Sequence, residues 1–97
     1  GNMAINVDPG LNGGEDSGTA TNKPIPRGAW TCFEWEITTA GSVTLYMGGT
    51  QLSTAAKTKV PALIEMRIGY EHYNADKATG DLWIDDYAVG TSRITCM

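Results

Sequence analysis

Residues 29–38 read AWTCFEWEIT, and apolar and polar side chains alternate along them with a period of two. A strand sends successive side chains to opposite faces, so this spacing fits a half-buried strand and not a helix of period 3.6. Phe33, Trp35 and Ile37 fall on one face, with Trp35 read as core. Trp30, Cys32, Glu34 and Glu36 fall on the other. The same period returns through most of the chain. MAINV (3–7) is a short strand. VTLYM (43–47) sets Val43, Leu45 and Met47 against Thr44 and Tyr46. Gly48-Gly49 is a hairpin signal, from which TQLST (50–54) pairs back. ALIEMRIGY (62–70) opposes Ile64, Met66 and Ile68 to Glu65 and Arg67. DLWIDDYAVG (81–90) points Leu82 and Ile84 inward and Trp83, Asp85 and Tyr87 outward, and SRITCM (92–97) closes the chain. Asp86 falls on the inward parity, where a carboxylate needs a partner, a metal or a strand irregularity.

Between these strands lie turns and one long polar stretch, DPGLNGGEDSGTATNKPIP (8–26), read as a loop. The single helix candidate, residues 54–59, is short and stops before Pro61. About seven short strands joined by turns predict an all-β fold, a two-sheet antiparallel β-sandwich of the jelly-roll type. With 97 residues the chain is expected to be one domain, residues 1–97.

Charge narrows the partners. The net charge of −4, with Lys23, Arg27, Lys57, Lys59, Arg67, Lys77 and Arg93 scattered, disfavours nucleic acid and anionic lipid surfaces. No apolar run approaches the length of a membrane span, and no signal-peptide pattern is read. The two cysteines, Cys32 and Cys96, match no metal or redox spacing. In an acidic chain rich in Gly, Thr and Asn they are read as one disulfide in an exported, extracellular protein, with two buried free thiols as the alternative.

The segments IPRGAWTCFEWEI, VTLYMGGTQL, MRIGYEHY and LWIDDYAVGTSRITC, in that order, resemble the C-terminal half of the concanavalin-like, polysaccharide-lyase-like jelly rolls. The resemblance runs from Pro26 onward. It implies a β-sandwich, a disulfide between Cys32 and Cys96, and a sheet that faces a glycan. The same fold hosts sugar-binding modules attached to glycoside hydrolases, including a small β-glucan-binding family beside soil-bacterial endoglucanases. Full-size members of the lyase-like group are longer and draw their reaction centre from both halves. The resemblance therefore implies binding more than catalysis.

The side chains fit that expectation. Three Trp and four Tyr against one Phe favour rings with a polar handle, suited to a surface half wet and half apolar. Sugar rings stack their C–H faces on indole and phenol, while their hydroxyls seek carboxylates and guanidinium. The expected carbohydrate-binding set is Trp30, Glu34, Tyr46, Arg67, Tyr70, His72, Trp83, Asp85 and Tyr87. Trp30 and Trp83 could equally cap sandwich edges. The ligand expected is a neutral plant β-glucan such as cellulose, mixed-linkage glucan or xyloglucan. The module would target an attached glycoside hydrolase. No catalytic residue is assigned.

A lyase acting on a uronic-acid polymer is the alternative. In the resemblance a His and a Tyr, here His72 with Tyr70 or Tyr73, serve as base and acid, and Arg67 would neutralise the uronate. Glu34 and Glu36, two apart on one strand face, have a spacing a glycosidase could use, but such pairs are common on solvated strands. Calcium, held structurally by Asp8, Asp16 and Asp86, is a further expectation from the acidic, Gly-rich loop. A shortened jelly roll exposes edges that need cover, and a homodimer is one way to supply it.

Overall fold

The computed structural model describes residues 2–7, 17–55, 65–69 and 80–96. Within them the chain is all-β, with five strands in two antiparallel sheets and one disulfide. Strand β1 (Asn2–Val7) pairs with β2 (Ser17–Pro24). Strands β3 (Phe33–Thr38), β4 (Ser42–Met47) and β5 (Thr50–Ala55) form the second sheet in the order β3-β4-β5.

The alternation in β1 sorts its side chains as expected. Met3 and Ile5 are buried, while Ala4 and Asn6 are exposed. Strand β2 corrects the reading of residues 8–26 as a loop throughout. SGTATNKP has no large apolar side chain, so nothing in its periodicity marks it. It becomes a strand by pairing with β1, in a register that sets Ala4 opposite Ala20 and Ile5 opposite Thr19. Thr21 is buried, and its Oγ1 accepts a hydrogen bond from Lys23 N at 3.1 Å. Pro24 ends the strand, where a missing N–H is tolerated.

The second sheet follows its sequence pattern in register. Phe33, Trp35 and Ile37 lie opposite Met47, Leu45 and Val43, so these six side chains share one face. Glu34 and Glu36 lie opposite Tyr46 and Thr44 on the other face. The β3–β4 turn is tied by Gly41 N donating to Thr38 O at 3.0 Å and by a 2.7 Å contact between the Thr38 and Ser42 hydroxyls. The β4–β5 turn places Gly48 at φ 56° and Gly49 at φ 80°, the left-handed pair that a two-residue hairpin requires. No atom lies within 4 Å of where a Cβ on Gly49 would stand. Gly49→Ala is therefore strained by backbone conformation alone and should lower stability by about 1 kcal/mol, read as a shifted urea midpoint. An unchanged midpoint would show that the turn tolerates a side chain there.

One small core joins the sheets. Met3 and Ile5 pack with Val43 and Leu45, and Phe33, Met47 and Leu52 lie against them. The β1–β2 pair sits beside β5, so its cover reaches β4 and β5 and leaves the β3 end of the apolar face open. This corrects the placement of Trp35 in the core. Trp35 is 56% exposed and Ile37 42%, on the same face where Leu45 is 4% exposed.

Two further strand expectations are corrected. Residues 81–90 and the described part of 62–70, residues 65–69, form no ladder. The apolar members Met66, Ile68, Leu82 and Ile84 are exposed. Alternation prepares a segment for two faces, but a strand also needs a neighbour to take its backbone hydrogen bonds. At the helix candidate, Thr54 and Ala55 belong to β5, and the remainder lies outside the described residues.

Candidate functional site

Two groupings bring the expected site residues together. The first lies on the polar face of the three-stranded sheet. Glu34 and Tyr46 are cross-strand partners there. The C-terminal segment crosses this face. Arg93 Nε donates to Glu34 Oε2 at 2.9 Å, and Cys96 N donates to Glu34 Oε1 at 3.3 Å. The Arg93 guanidinium stacks over the Tyr46 ring, 3.7 Å from its centre, within cation–π range. Tyr46 Oη in turn donates to Glu36 Oε2 at 3.4 Å.

The disulfide Cys32–Cys96, with a Cα–Cα distance of 5.9 Å, fixes the same segment immediately before β3. The alternative of two free thiols is thereby set aside. Gly48 N donates to Cys32 O at 2.9 Å, which carries hydrogen bonding one residue beyond the β3 ladder. The outward parity of Glu34 holds, but the side chain is not open to solvent. Its carboxylate is 6% exposed because the segment at 93–96 covers it. In this arrangement Glu34 anchors the C-terminus. Arg93 was not among the expected site residues, yet it stands three before Cys96, as Glu34 stands two after Cys32. A bridge between the cysteines brings an acid and a base of such spacing within reach of each other.

The second grouping is an open cleft of about 380 Å³ lined by Gly69, Gly80, Asp81, Leu82, Trp83 and Ile84. Trp83 is 77% exposed at its wall. Asp85 and Tyr87 follow it and are also exposed. At the two glycines of the wall a Cβ would meet nothing within 4 Å.

The chain bends at Asp86. Asp86 adopts φ 51°, and its N–H donates to Asp85 Oδ1 at 2.8 Å. Asp is among the residues that enter the left-handed region most readily, and here the preceding carboxylate, that of Asp85, holds the Asp86 N–H. An irregularity thus accounts for the carboxylate that a straight strand would have turned inward, and Asp86 is exposed.

The remaining expected residues are dispersed. Trp30 precedes β3 and is exposed. Trp30 and Trp83 both lie outside the strands, so they do not form rows of one flat sheet platform. Arg67 donates through Nε and a terminal nitrogen to the two oxygens of Glu65, at 2.7 and 3.2 Å. A uronate would have to compete with that bidentate pair. Tyr70, His72, Asp8 and Asp16 lie outside the described residues. Among the described residues, one group of three side chains comes within metal-ligand spacing, Cys32, Glu34 and Cys96. Two of its members are consumed by the disulfide, and the third is paired with Arg93. Asp86 does not belong to that group.

No protein-family model, no curated protein and no solved structure matches the chain.

Proposed function

We propose that the chain is a non-catalytic carbohydrate-binding module for neutral plant β-glucans, with its two sheets in a sandwich-type arrangement. The observation that carries this reading is Trp83, held exposed on the wall of an open cleft with Asp81 beside it and Asp85 and Tyr87 following. An exposed indole with the Asp81 carboxylate in the same cleft lining meets both halves of a sugar, its C–H face and its hydroxyls. The acids also favour a neutral glycan over a uronate polymer, whose like charge they would repel. The shared core of Met3, Ile5, Val43 and Leu45 supports the stacking of the two sheets, and the disulfide supports an exported protein. An open cleft buries little ligand surface, so binding is weak, micromolar to millimolar. Such a module serves an attached glycoside hydrolase by keeping it close to its substrate.

Cello-oligosaccharide titration by calorimetry tests the reading, with affinity gels for mixed-linkage glucan and xyloglucan beside it. Trp83→Ala should weaken binding about tenfold, equivalent to about 1.4 kcal/mol, without shifting the thermal midpoint. Equal binding by a folded Trp83→Ala protein would remove the site assignment. Repeating the titration with a chelator tests the calcium expectation. Product absorbance from a glucuronan, abolished by His72→Ala, would instead establish a lyase.

A further inference from the structure

The Cys32–Cys96 bridge has a third neighbour that a disulfide does not use. Its two sulfurs and a carboxylate oxygen of Glu34 lie within 4.8 Å of one another. Atoms so spaced fit around one ion, which would sit about 2.3 Å from sulfur and about 2.1 Å from oxygen. The Cα atoms of the bridge stand 5.9 Å apart, so two released thiolates reach a common ion by side-chain rotation. Glu34 is also held as a metal ligand is held. Its side chain is 6% exposed, Arg93 Nε donates to Oε2 at 2.9 Å, and Cys96 N donates to Oε1 at 3.3 Å. Outer partners of this kind orient a ligating carboxylate.

We propose that the reduced chain binds one thiophilic divalent cation of the zinc class through Cys32, Cys96 and Glu34, with water as the fourth ligand. The bridge and the ion are then alternative fastenings of the same C-terminal segment to β3. Cys32 is exposed, so a dithiol can reach the bridge. Reduction breaks the S–S bond with two electrons and two protons from the dithiol, which closes into its own disulfide. The ion then forms two bonds to sulfur and one to the Glu34 carboxylate, and the two thiol protons leave to water. The donors set the class of ion. Thiolates select zinc or cadmium over calcium or magnesium, which take oxygen. The charges agree as well. Two thiolates and a carboxylate leave a divalent ion with one net negative charge, and the Arg93 guanidinium paired with Glu34 offsets it. The cysteines are separated by 64 positions, which is why no local spacing marks the site in the sequence. None of the three ligands lines the Trp83 cleft, so this inference stands or falls separately from glycan binding.

Titration with cobalt(II) and then zinc, on the chain reduced by a water-soluble phosphine, tests it. The phosphine passes to its oxide with oxygen from water, and no dithiol remains to compete for the metal. The reduced wild type should bind one cobalt per chain, with the sulfur charge-transfer absorption of a tetrahedral thiolate site, and zinc should displace it. The oxidised chain should show no such absorption. Arg93→Met, which touches the ligand and not the ion, should weaken zinc binding about tenfold, and Glu34→Gln about a hundredfold. Glu36→Gln, two residues along on the same face, should leave it unchanged. Circular dichroism of each reduced variant with zinc checks that it is folded. Should Glu34→Gln fail to fold, zinc-edge X-ray absorption of the reduced wild type decides, with two sulfurs and two lighter atoms expected around the ion. Zinc binding indifferent to Glu34→Gln in a folded chain overturns the proposal. A different sulfur count, or no cobalt absorption after reduction, overturns it equally.

Discussion

Replacing both cysteines, Cys32→Ala with Cys96→Ala, lowers the unfolding free energy by about 4 kcal/mol in urea titration. The bridge joins residues separated by 64 positions, and a loop that long restricts the unfolded chain strongly. The effect is large against what else holds this chain. Four apolar side chains form the buried core among the described residues. A domain of this size has a total stability of about 5–15 kcal/mol, so the bridge carries a large fraction of it. The loss has a location too. Besides the disulfide, the described C-terminal segment is held to β3 through Glu34, by Arg93 and the Cys96 N–H. The double variant should therefore become sensitive to limited proteolysis between residues 80 and 92 before β3–β5 opens. A midpoint shift equivalent to less than about 1 kcal/mol would mean that the unfolded chain is already compact across that loop.

The same residues show what a sequence pattern can and cannot specify. The alternation in 33–38 and 43–47 and the Gly48-Gly49 turn place three strands, their register and their two faces, because a hairpin supplies its own hydrogen-bonding neighbour. DLWIDDYAVG alternates nearly as well and forms no strand, because its pairing neighbour would have to be distant in sequence and periodicity does not name one. SGTATNKP shows the converse, a strand whose side chains give no apolar signal and whose identity comes from β1. Face and burial also separate. The parity of Trp35 and Glu34 is legible, but Trp35 is exposed and Glu34 buried. Burial depends on what lies over each face, and that is decided by a two-stranded sheet that stops short and by a tail drawn in through the disulfide. Of the candidate site, exposed Trp83 was legible as an aromatic on a polar parity. Arg93 was not, because its role depends on the Cys32–Cys96 bridge placing residues 93 and 34 side by side.

Arg93→Ala should destabilise the chain by about 3 kcal/mol, and more than Glu34→Ala does. The ordering follows from unequal burial within the pair. The Glu34 side chain is 6% exposed and that of Arg93 32%. Removing Arg93 leaves a buried carboxylate with, among the described residues, the Cys96 N–H to stabilise it, and it also removes the stacking on Tyr46. Removing Glu34 leaves a guanidinium that can turn toward water while still covering the Tyr46 ring, so about 2 kcal/mol is expected there, mostly from the unpaired Cys96 N–H and the lost pair. A double-mutant cycle in urea isolates the interaction, and a coupling of about 2 kcal/mol marks the pair as a shielded one. A coupling within a few tenths of zero would place it with exposed ion pairs, which contribute little. Replacing both by apolar residues of similar length, Glu34→Leu with Arg93→Met, should recover much of the loss, since the cost of each single change lies in the charge left behind. Repeating the cycle in the cysteine-free background should shrink the coupling. Once the bridge is gone, Arg93 reaches Glu34 only when the tail happens to lie on the sheet, and the ion pair then bears part of the entropy of ordering it.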